Sequence, residues 1–240
     1  MAAWKQRLIA VAIFLAVLAG SLGPIRSYDF FWHLASGRWI AEHAALPATD
    51  PFAVASSRGP WINGEWLFDV ALHATHAAVG FSGLSWVRAL VVALLFTSVF
   101  LLAARGGDTP LAFLLTALAF AGVQGHYEVR PATLAACFVA VALALLASHR
   151  SWAWFALLTV VWINVHPSAL LAPLFAGARL RWRVALGSLV SLLVNPWGWR
   201  AILAPIELVS FVRDGSFVNA EWLPSRPTQF PLLFIALAGG

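Results

Sequence analysis

The stretch from Tyr28 to Ile40, YDFFWHLASGRWI, crowds Asp29, His33 and Arg38 among Phe30, Phe31, Trp32 and Trp39. A carboxylate so placed can act as a general base on a hydroxyl, or it can cap the helix that follows. His33 lies four residues on and shares a helical face with Asp29. It can steer a substrate, bind a metal ion with Asp29, or simply pair with it. Glu65 and Asp69 repeat the four-residue spacing with like charges, an arrangement relieved by a cation, a metal, a neutral carboxyl or solvent. Asp50, in TDPF, is a turn signal first and a second acid near Asp29 only after that. Arg130 and Arg200 each follow a polar break beside an apolar run. A guanidinium there can fork onto a phosphate or snorkel to the headgroups. His126, Glu128 and His166 are supporting candidates, as are Trp66 in GEW and Glu221 in AEW.

Much chemistry is excluded. The chain has no glycine-rich phosphate loop, no G-x-S-x-G and no H-E-x-x-H. No Cys/His spacing resembles a zinc site, and the single Cys137 leaves no intrachain disulfide. The net charge of +5 comes from scattered arginines without a basic face, which argues against nucleic acid. An activated group would have to arrive on a membrane-soluble donor.

The elements that must position these residues are membrane helices. Of the 240 residues 61% are apolar and 10% charged, against about 25% charged in a soluble domain, and mean hydropathy is +0.83. The 13 Trp against two Tyr suit interfacial anchoring. We expect an all-α integral membrane protein, one membrane domain over 1–240, with about seven transmembrane helices and a partial last one over 230–240. The first span covers 8–23 and reads as an uncleaved signal anchor, with Lys5 and Arg7 holding the N-terminus in the cytoplasm. An outer loop over 24–85 carries two amphipathic helices, 28–43 and 61–79, suited to the membrane surface. Further spans cover 86–104, 110–123, 132–147 and 184–194, and 201–212 is another surface helix.

Residues 152–178 allow two arrangements. One is a single long helix kinked at Pro167; the other is a hairpin turning at 164–168. The hairpin places Arg179, Arg181 and Arg183 with Arg105 and Arg150, and the cation rule favours it. The cytoplasmic side then holds seven of the 15 Lys/Arg and one of the 10 acids, Asp108. The motifs YDFFWHL, DPF, GEW, HYEVR, NVH, NPWGWR and AEW all fall on the opposite side, which is where we expect a site.

Taken in order, YDFFWHLASGRWI, LPATDPF, PWINGEWL, VRP, WINVH, NPWGWR and AEW resemble a set of bacterial multi-pass proteins similar to C-type (GT-C) glycosyltransferases. The resemblance covers about Tyr28 to Trp222. It implies transfer of a sugar from a polyprenyl-phosphate donor to an acceptor outside the cytoplasm, in the bacterial inner membrane. An essential Asp follows the first span in that family, and Asp29 matches the position. Many relatives have an Asp-Glu pair where this chain has Asp29-Phe30, and full-length relatives continue with further spans. On this resemblance Asp29 would be the general base, and Arg130 or Arg200 would hold the phosphate. His33, Asp50 and Glu65 would shape the acceptor side or hold a divalent ion. The alternatives are a non-catalytic subunit working with other membrane subunits and, third, a transporter of lipid-linked sugar.

Overall fold

The computed structural model describes residues 3–52, 60–123, 127–148, 152–213 and 227–228. These are helical, with no strand beyond one isolated bridge between Thr49 and Pro60. The elements are α1 (Ala3–Ser21), α2 (Phe30–His43), α3 (Trp66–Ala103), α4 (Thr109–Gly122), α5 (Pro131–Ala147), α6 (Trp152–Ile163), α7 (Leu171–Ala178), α8 (Trp182–Ser191) and α9 (Arg200–Arg213). The expected last span, and the candidates His126 and Glu221, lie outside the described residues.

Local chemistry sets the breaks. Gly80 takes φ +64° and ψ −171°, so α3 bends there into two arms, 66–79 and 81–103. Only glycine adopts such a backbone at little cost. The second surface helix and the second span are thus two arms of one bent rod, and that helix starts at Trp66 rather than Trp61. The Asp108 carboxylate caps α4 by accepting from the Leu111 N–H at 2.9 Å. Arg130 is extended because Pro131 follows it and opens α5.

Among the described residues two helices are long and apolar enough to cross a bilayer, within Trp4–Ser21 and Trp66–Gly106. The helices α4 to α8 have 14, 17, 12, 8 and 10 residues. At 1.5 Å per residue they are about 12 to 26 Å long, short of the roughly 30 Å of a hydrocarbon core. Their outward faces are nevertheless apolar, with Leu114, Leu118, Leu157, Leu174, Leu186 and Val190 exposed. The buried core falls into three clusters. One joins α1 to α4 and the second arm of α3, one lies among α5 to α8, and one lies under α2 and the first arm of α3.

Side-chain contacts sort the helix ends into two sets. Gln6 donates to the Ala104 carbonyl at 3.3 Å, and Arg181 donates to the Leu146 carbonyl at 3.4 Å. The start of α1, the end of α3, and the α7–α8 turn with the end of α5 thus form one set of ends, at which Arg105, Arg179, Arg181 and Arg183 lie. At the other, Asn164 donates to the Val194 carbonyl at 2.9 Å, and Trp66 Nε1 donates to Asn164 Oδ1 at 2.8 Å. The chain therefore leaves α5 at one end, reaches the other at Asn164, returns by Arg181 and comes back at Val194. This is the hairpin arrangement of 152–178. His166 is extended at the turn, which rules out one continuous helix.

Candidate functional site

Within the described residues, the motifs YDFFWHL, GEW, NVH and the EVR part of HYEVR meet at the Asn164 end. Helix α2 lies on the first arm of α3 and buries Phe30, His33, Ser36, Gly37 and Ile40. Close approach is allowed by Gly37, where a Cβ would come within 1.9 Å of the Asp69 carbonyl oxygen. The approach brings His33 Nδ1 to 2.7 Å from Asp69 Oδ1. Asn63 donates to Asp69 Oδ2 at 2.8 Å and to Ser36 Oγ at 3.1 Å. Asp69 is fully buried, and both its oxygens are satisfied. A buried carboxylate is stable only in such company.

Beside this network, Arg130 Nη2 lies 3.0 Å from Asp29 Oδ2, and Arg130 Nε donates to Ser27 Oγ at 2.9 Å. These bonds tie the start of α5 to the segment between α1 and α2. A second arginine, Arg88 in the second arm of α3, is almost wholly buried. Its guanidinium donates to the carbonyls of Ser21, Gly23 and Pro24 at 2.9 to 3.2 Å, and to Glu128 Oε2 at 3.3 Å. Glu128 also accepts the Arg26 backbone N–H at 3.1 Å. The arginine thereby satisfies carbonyls at and beyond the C-terminus of α1, which no later turn reaches. Arg88, Glu128 and Arg130 form the charged edge of a cavity of about 100 Å³, lined otherwise by Thr75, Thr133 and apolar groups such as Phe68, Leu72 and Leu134.

Glu65 precedes α3 and faces the 164–168 turn. Two bonds dock that turn: the Leu67 N–H to the Asn164 carbonyl at 3.1 Å, and the Trp66 bond already described. His166 Nε2 consequently sits 3.8 Å from Glu65 Oε1. Burial pushes the Glu65 pKa up to about 7; His33 pulls it back, while Asp69 and Asp29 push it further. Burial also lowers the pKa of His166.

Several sequence expectations are revised. His33 pairs with Asp69, not Asp29; only its backbone N–H reaches Asp29, at the carbonyl. A helix places residues four apart on one face, but packing against α3 turned that histidine inward. Asp29 occupies the N-cap position of α2 without making a side-chain cap bond. Arg38 points to solvent and meets Glu42 at 3.8 Å, one turn along α2. Asp50 accepts the Phe52 N–H at 2.9 Å, so it serves its own turn. Arg200 is exposed at the start of α9. Trp66, Glu128, Arg130 and His166 do join the cluster. Among the described residues no group of three or more His, Cys, Asp or Glu could hold a metal ion, so His33, Asp50 and Glu65 form no ligand set.

Sequence reasoning passed over Asn63, Arg88 and Asn164, and undervalued Asp69. Arg88 was detectable, because a lone charge within an apolar run is expensive and so has a purpose. Asn63 and Asn164 carried no such signal; each matters through a partner distant in the chain. In the comparisons with known proteins the chain has no significant match to a family model, a curated protein or a solved structure. The likeness to C-type glycosyltransferases therefore rests on the motifs alone.

Proposed function

We propose that this is a polytopic membrane protein that transfers a sugar from a polyprenyl-phosphate donor to an extracytoplasmic acceptor. In this reading α1, the second arm of α3 and α4 to α8 are seven crossings, with the short helices shielded by their neighbours. The arginine-bearing ends face the cytoplasm. The observation that carries the reading is the Asp29–Arg130 pair, 3.0 Å apart, at the end where the polar motifs collect. Arg130 would bind the donor's phosphate and steady the charge that gathers on it as the sugar leaves. That phosphate would take the place of Asp29 on the guanidinium and free the carboxylate beside the acceptor.

The test is Asp29→Asn in the full chain, reconstituted in proteoliposomes with tritiated hexoses on decaprenyl phosphate. Transfer to octyl glucoside is expected to fall about a hundredfold or more. Stability is expected to stay nearly unchanged, because a pair this exposed contributes at most about 1 kcal/mol. Full transfer by the variant would sink the mechanism. One observation favours a second reading, a non-catalytic subunit: the 100 Å³ cavity beside Arg130 is smaller than the roughly 300 to 1,000 Å³ of ordinary ligand pockets. Purification in fixed stoichiometry with other membrane chains, with Asp29 dispensable, would support that reading.

A further inference from the structure

Asp29 is an imperfect proton acceptor by position. One of its oxygens is taken by Arg130, and half of its side chain lies open to water. The carboxyl of Glu65 is different. It is mostly shielded, faces a histidine, and lies close enough to Asp29 to feel its charge.

The histidine is held in one state. The backbone N–H of Ser168 points at His166 Nδ1 from 3.1 Å. A backbone N–H only donates, so Nδ1 is the unprotonated, accepting nitrogen, and the ring proton sits on Nε2. The Ser168 hydroxyl, 2.8 Å from Nδ1, donates there as well. Its oxygen in turn accepts from Nε1 of the buried Trp162 at 3.0 Å. The polarity therefore runs one way, from Trp162 through Ser168 and His166 to Glu65. Its last link presents an N–H to the carboxylate. At 3.8 Å that contact is long for a hydrogen bond, as such contacts often are before substrate binds.

We infer that Glu65 is the catalytic residue that takes the acceptor's proton, and that His166, fixed by Ser168 and Trp162, is its positioning residue. The inference rests on the glycosyl-transfer reading and deepens it. It moves the proton-accepting role from Asp29 to Glu65. Asp29 is left as the group that orients Arg130 to receive the phosphate, so its loss still slows transfer. The step balances. The acceptor's O–H proton passes to a Glu65 carboxylate oxygen. The acceptor oxygen forms a bond to the anomeric carbon. The bond from that carbon to the phosphate oxygen breaks, and its electron pair leaves with the polyprenyl phosphate. The proton then returns to water. A base working at neutral pH is most effective when its own pKa lies there, and burial, helped by Asp69 and Asp29 and opposed by His33, pushes Glu65 up to about 7, with His166 facing it at 3.8 Å.

The test is the pH profile of kcat/KM for the full chain in proteoliposomes, with the same tritiated decaprenyl-phosphate hexoses and octyl glucoside. The natural chain should gain activity with rising pH through a limb near 7. Glu65→Gln should lose about a hundredfold or more, and with it the limb. Glu65→Asp should keep the limb at a reduced rate. His166→Ala removes the N–H that favours the ionised carboxylate, so the limb should move to higher pH. Asp29→Asn should lose activity but keep the limb. If the natural chain transfers and Glu65→Gln keeps its rate or its limb, the inference falls and the transfer reading stands. Should Glu65→Gln not fold, an undiminished rate in Glu65→Asp together with an unmoved limb in His166→Ala overturns the inference equally. If the natural chain transfers none of the sugars, the reading falls and the inference with it.

Discussion

Gly37→Ala tests the packing that builds the site. The new Cβ would stand 1.9 Å from the Asp69 carbonyl oxygen and 2.9 Å from the His73 Cβ, where ordinary contact begins at 3.4 Å. Relief requires α2 to move about 1.5 Å away from α3. The same movement stretches the 2.7 Å His33–Asp69 contact to about 4 Å, beyond hydrogen bonding. Overpacking costs about 1 to 3 kcal/mol, and loosening a buried carboxylate's partner adds about 1 to 3 kcal/mol. Alanine's better helix propensity returns about 1 kcal/mol. The net loss is about 1 to 5 kcal/mol, a fall in Tm of roughly 2 to 20 °C for a chain of this size. Thermal unfolding in detergent, followed by tryptophan fluorescence, would measure it. Gly64→Ala is the control, since nothing lies within 4 Å of its new Cβ. A Gly37→Ala protein that melts within about 2 °C of the natural chain would refute the close-approach account.

Asp69→Ala strands His33 and Asn63 without their buried acceptor. It should cost about 3 to 5 kcal/mol, read as a fall in Tm. Glu65, raised from 4.5 to about 7, favours the folded state only while protonated. Its contribution is complete below pH 4.5, is lost as pH rises to about 7, and amounts to about 3 kcal/mol at 1.4 kcal/mol per unit. Denaturant titrations from pH 4 to 8 should show that slope, and Glu65→Gln should flatten it. For sidedness, Tyr28→Cys and Leu180→Cys in a Cys137→Ala background place thiols at two strongly exposed positions at opposite ends. An impermeant maleimide should label the first in intact spheroplasts and the second only after permeabilisation. Labelling of both from one side would overturn the topology.

Much of the architecture was readable along the chain because its causes are local. Apolar runs marked the helices, and arginines sorted the helix ends so that 152–178 folds back as a hairpin. The gathering of polar motifs at one end followed from that hairpin. The identity of the partners did not, because it depends on contacts between residues far apart in sequence. His33 shares a helical face with Asp29 yet bonds Asp69, 36 residues away, since α2 rotates to seat Gly37 against α3. Arg88 reads as one charge in an apolar run, and only the assembled structure shows it closing the end of α1 against Glu128. Glu65 and Asp69 look alike in the sequence, as two acids one turn apart. The fold separates them, because Asp69 receives two buried donors while Glu65 is shielded against a single histidine 3.8 Å away.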